Sequence, residues 1–144
     1  MTKYLLLAAL FGSSFFMPAY AGDSEVLNGW GCLKYCWNVL GDPHINTIGV
    51  KSYYFGFILT NILFVLVLYF SAQRRRRSIP GIVISFFLAA HVGSWWFINL
   101  GERLEHAHSP IYYGYFVWLA AYLGLLGANL LAKINPGNLS PRAT

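Results

Sequence analysis

The chain reads as an all-α integral membrane protein, with a cleavable signal peptide, a short periplasmic N-terminal segment and a three-helix transmembrane bundle. Three observations predict this. First, 57% of its 144 residues are hydrophobic and only 10% are charged, against about 25% charged in a soluble domain. So few charges cannot keep so much apolar surface in water. Second, three apolar stretches, about 53–72, 79–100 and 111–132, each have the roughly 20 residues that a membrane-crossing helix needs. Third, Arg74-Arg75-Arg76-Arg77 lies between the first two of them, where basic residues report topology. That position also argues against a nucleic-acid partner, despite a net charge of +5.

Residues 1–21 have the pattern of a secretory signal. Lys3 supplies the positive start, Tyr4 to Phe16 the apolar core, and Ala19-Tyr20-Ala21 an A-x-A cleavage site; the alternative is an uncleaved first helix, which would make four spans and tether the same head. Residues 22–51 form a segment of mixed character. Within it, Leu33 to Leu40 suits a short amphipathic helix on the membrane surface, with Trp30, Tyr35 and Trp37 at headgroup level. Thirty residues cannot bury an adequate core alone, so this head must lean on the membrane, the spans or a partner.

The transmembrane domain occupies 52–133. Its first span opens on the aromatic belt Tyr53, Tyr54 and Phe55 and is interrupted by Thr60-Asn61. The second begins at Ile79-Pro80-Gly81, where proline suits a first helical turn. The loop from Gly101 to Pro110 carries charges and histidines, and the third span opens on Tyr112, Tyr113 and Tyr115. Asn135-Pro136-Gly137 stops it, leaving 134–144 as a polar tail.

Orientation follows from charge. With residue 22 delivered outside, Arg74 to Arg77, Lys133 and Arg142 fall in the cytoplasm, and all five acidic residues fall outside. The expected site is a bacterial inner membrane, multi-pass, with a periplasmic mature N-terminus and a cytoplasmic C-terminus. The arginines act as an anchor near anionic headgroups.

Four features bear on chemistry. Cys32 and Cys36 lie one helical turn apart and in an oxidising compartment are expected to pair as a disulfide. The sharper alternative is a copper or zinc site that also uses His44. His91 is the one ionisable residue within an apolar span, roughly 16 Å from Pro80 and so near the midplane. Asn61 and Tyr122 fall at similar depth, and the three are expected to form a hydrogen-bonded layer between helices. A haem on His91 would need a second ligand that no other span provides.

On the second span, Trp95, Asn99, Glu102, Glu105 and His106 continue the face of His91, while Ser85, Ala89 and Gly93 form a small-residue ridge opposite. The third span has its own ridge in Ala120, Gly124 and Ala128. Glu102, Glu105, His106 and His108 are ligand types that suit zinc or copper.

No nucleophile–base pair, phosphate loop or paired-carboxylate pattern is visible, which argues against an enzyme. The leading expectation is a non-catalytic accessory or structural subunit of a larger membrane assembly, such as secretion, conjugation or respiratory machinery. The partners would be lipid and other membrane subunits or further copies of the chain, and no cofactor is expected. The alternatives are a redox protein binding haem, copper or zinc, and a small transporter or holin-like pore.

Overall fold

The computed structural model describes residues 2–21, 25–73, 79–98 and 111–134. Helix α1 (Thr2–Ser14) leads into a two-stranded antiparallel hairpin of β1 (Pro18–Ala21) and β2 (Val26–Asn28). Helix α2 (Gly29–Gly41) follows, then α3 (Ile48–Ala72), α4 (Ile79–Ile98) and α5 (Tyr113–Ile134). The last three are each long and apolar enough to cross a membrane, over Ile48–Ala72, Pro80–Ile98 and Tyr113–Ile134. The protein is therefore mainly helical and membrane-embedded, with three candidate spans.

The side-chain contacts fix how the helices run. Tyr53 of α3 meets Ser94 of α4, and Gly56 meets His91, so α3 and α4 are antiparallel. Ser85 meets Asn129 and Val92 meets Tyr115, so α4 and α5 are antiparallel too. Helix α1 lies antiparallel to α5, with Leu7 against Gly124 and Met17 against Gly114. Its Lys3 end therefore lies toward the end of α5 that carries Lys133. The core forms where these helices meet, around Phe64, Val92, Ala121, Tyr122 and Leu125, with Leu7 of α1 in the same cluster.

Hydroxyls inside the spans are hidden by their own helix. Thr60 donates to the Phe57 carbonyl (2.9 Å), Ser85 to Gly81 (2.7 Å) and Ser94 to His91 (2.6 Å). Each bond reaches back three or four residues, which spares lipid or core an unpaired O–H.

The small-residue ridges differ from expectation in what they hold. Ser85 and Ala89 are buried, and Ser85 accepts a 2.9 Å bond from Asn129 Nδ2 on α5. Gly93 has open space where its side chain would be. On α5, Ala120 is exposed, while Gly124 receives Leu7 of α1 rather than a residue of α4.

In the head, α2 begins four residues before the expected Leu33. Asn28 caps it, its side-chain oxygen accepting from Gly31 N at 2.8 Å. Cys36 and Val39 face inward, whereas Trp30 and Trp37 are 65% and 67% exposed.

Candidate functional site

Polar and reactive side chains gather in three places between α3 and its neighbours. The first is centred on Asn61. Its Nδ2 donates to the Phe57 carbonyl at 2.7 Å, one turn back on α3. Its Oδ1 accepts from Trp118 Nε1 at 3.1 Å and, more weakly, from the Tyr122 hydroxyl at 3.5 Å. Trp118 and Tyr122 are four apart on α5 and so share a face. Of the three residues expected in one layer, Asn61 and Tyr122 meet here, with Trp118 as the stronger partner, and His91 lies in a separate packing site. Sequence reasoning missed Trp118. The signal was its spacing from Tyr122, which points two hydrogen-bond donors at one depth of α3.

The second place is His91, which packs on Gly56 between the rings of Tyr53 and Phe57, at centroid separations of 5.1 and 4.7 Å. The backbone of Tyr53 lies beside it. Its Nε2 is buried without a hydrogen-bond partner. A methyl group at Gly56 would stand 2.6 Å from Nε2, so α3 and α4 approach closely here only because residue 56 has no side chain.

Trp95, one turn on, continues the same seam, stacked on Tyr53 (6.2 Å, 14°) and edge-on to Phe57 (5.5 Å). The stripe read from the sequence therefore faces α3 along its described part. Two hydroxyls close the seam: Ser94 gives its one proton to the His91 carbonyl, so the 2.9 Å bond between Ser94 and Tyr53 is donated by Tyr53.

The third place is an apolar cavity of ≈ 80 Å³ lined by both cysteines, with Tyr54, Phe57, Asn61 and Trp118 among its walls. Binding sites for drug-sized ligands run to about 300–1,000 Å³, so this cavity suits at most a small group. Cys32 and Cys36 are two free thiols one turn apart on α2. Burial pushes the Cys32 thiol up to about 12, helped by Cys36 beside it, and burial pushes Cys36 up to about 11. Burial thus favours the protonated thiol at both positions over the thiolate, the nucleophilic and metal-binding form.

His44 stands apart in a turn, its backbone N–H bonded to Asp42 Oδ1 at 2.8 Å. Among the described residues, no three His, Cys, Asp or Glu side chains come together as a metal site. Glu102, Glu105, His106 and His108, and the run Arg74 to Arg77, lie outside the described residues.

The fold and these contacts define a small multi-helix membrane protein in which Asn61, Ser85 and Tyr115 bond from one helix to another. No known family model, curated protein or solved structure matches the chain.

Proposed function

We propose that the chain is a non-catalytic accessory subunit of a larger inner-membrane assembly, and that its head, on the outer side of the membrane, is the docking element. The single observation that carries this is α2. Its inner side, with Cys36 and Val39 buried and Tyr35 packed edge-on to Tyr54 of α3, is used up against the bundle, while Trp30 and Trp37 stand outward at 65% and 67% exposure. Large aromatic side chains are the residues that dominate protein interfaces, because they bury much area at little entropic cost.

Two further features support the reading. In the bundle, Asn61, Ser85 and Tyr115 each bond to another part of the same bundle. The orientation inferred from charge puts α2 outside and the arginine run inside, so the anchor and the docking face lie on opposite sides. The chain would then be held in an anionic leaflet and recognised from the periplasm.

Photo-crosslinking in native membranes tests this. A photoreactive residue at Trp30 or Trp37 is expected to give a discrete adduct with one larger membrane protein, identified by mass spectrometry and lost when that protein is deleted. The same residue at Phe87, 66% exposed on α4, is expected to label lipid. If both α2 positions label only lipid or another copy of this chain, the proposal fails.

A further inference from the structure

We propose that the N-terminal segment through Ala21 is not removed on export but remains as a fourth helix of the bundle, with Ala19-Tyr20-Ala21 serving as a strand instead of a cleavage site. A leader that is cut away leaves nothing in the mature chain that depends on it. Here the dependence is extensive and of three independent kinds.

The first is core packing. Phe11 lies flat on Phe64 of α3, centroids 4.3 Å apart and planes 19° apart, with Tyr122 of α5 edge-on at 6.1 Å. Leu7 and Ser14 are 7% and 2% exposed. Removing α1 would open Phe64 and Tyr122, two of the most buried large side chains of the bundle.

The second is backbone fit. Gly29 opens α2 directly on the α1 C-terminus: a Cβ there would stand 2.7 Å from the Ser14 carbonyl oxygen and 2.8 Å from Phe15 Cα. Gly114 opens α5 on the start of β1, and a Cβ there would run into the Pro18 carbonyl and stand 2.8 Å from that of Met17. Glycine is the residue that permits such close backbone approach. Both glycines lie beyond the supposed cleavage point, yet the atoms nearest the space they give up belong to residues before it.

The third is the state of the supposed scissile segment. One edge of β1 is paired with β2, Tyr20 opposite Leu27 and Ala21 opposite Val26. The other edge meets the start of α5: Tyr20 bridges Ile111, and Tyr112 N donates to the Ala19 carbonyl at 3.0 Å. Ala19 is 9% exposed. A protein that captures an extended segment does so through a free strand edge, and β1 has neither edge free.

Helix α1 alone is shorter than the hydrocarbon core of about 30 Å. Thirteen helical residues rise about 20 Å, and the extended residues that follow carry the chain on toward the outer face. The antiparallel arrangement against α5 puts Lys3 toward the Lys133 end, as the distribution of basic residues requires. The inference does not depend on what covers α2.

The test is intact-mass measurement and N-terminal sequencing of the full chain, expressed in a bacterial host with a C-terminal tag and purified from the membrane in mild detergent. The expected result is a chain beginning at Met1 or Thr2. The companion measurement is thermal melting of Phe11→Ala, expected to lower the melting temperature by several degrees. A mature chain beginning at Gly22 overturns the proposal. So does an intact chain whose melting temperature Phe11→Ala leaves unchanged.

Discussion

Asn61 and His91 make an instructive pair. Both are polar residues inside membrane-crossing helices, and both face the centre of the bundle. Asn61 bonds through both atoms of its amide, to its own helix and to Trp118 and Tyr122 of α5. His91 presents a buried Nε2 with no partner and sits on Gly56, between the rings of Tyr53 and Phe57, with the Tyr53 backbone beside it. The difference lies in the neighbouring helix and not in the residue. Asn61 meets two donors spaced four apart, whereas His91 meets a glycine. One position is thus fixed by hydrogen bonding and the other by steric fit, and substitutions should separate the two.

The largest effect is expected at Gly56. A Cβ there already falls 2.6 Å from Nε2 and 2.8 Å from Cε1 of His91. Gly56→Leu should force α3 and α4 apart and cost about 1–3 kcal/mol, the usual range for overpacking a filled interface. Chemical denaturation in detergent measures this. The steric account further requires that His91→Ala, added to Gly56→Leu, restore much of the loss. An additive double variant would break the comparison, because it would mean that His91 and Gly56 do not act through one contact.

Next comes Asn61→Leu, which keeps the volume but takes the acceptor from the Trp118 N–H. Bonds between membrane helices are worth about 1 kcal/mol, and a donor left unpaired costs about 1–3 kcal/mol. A loss of roughly 1–2 kcal/mol is therefore expected, with a shift of Trp118 fluorescence as its indole loses a partner. Unchanged stability would show that the bonds are incidental and that Asn61, like His91, is there for its shape.

These two sites also show what the sequence makes legible. The three spans were readable because each is a long apolar run with aromatic or basic ends. The structure places them at Ile48–Ala72, Pro80–Ile98 and Tyr113–Ile134, close to the expected limits except that α3 starts earlier. Residues such as Lys51 and Ser52 hid that start, because hydropathy reports lipid exposure and not helicity. The depth of Asn61 and Tyr122 was readable by counting rise per residue.

Their bonding was only half readable, because a tryptophan at a span position looks like an interface anchor until its N–H is seen to have a partner. The fit of His91 to Gly56 was not readable at all. Contact between helices depends on their relative rotation, which no single segment encodes. The β-hairpin was equally hidden. Its strands have four and three residues, too few for an alternating pattern, and one of them coincides with an A-x-A motif that has a more familiar meaning.

The smallest effect is expected from His91→Phe, and it is the most informative. A phenyl ring keeps the planar shape between Tyr53 and Phe57 and removes the buried nitrogen that has no partner. Replacing a buried polar group that makes no bond by an apolar one of similar shape is close to neutral or slightly stabilising. Stability within about 0.5 kcal/mol of the native chain is therefore expected, measured in the same denaturation assay as the other two variants. Assembly with the partner that crosslinks to α2 should also persist. A loss above about 1 kcal/mol would mean that the imidazole forms a bond in the membrane that helix packing alone does not supply. Loss of assembly with stability intact would instead mean that His91 acts in the function itself. Either outcome would turn the intramembrane histidine from a spacer that fits its glycine into a working group.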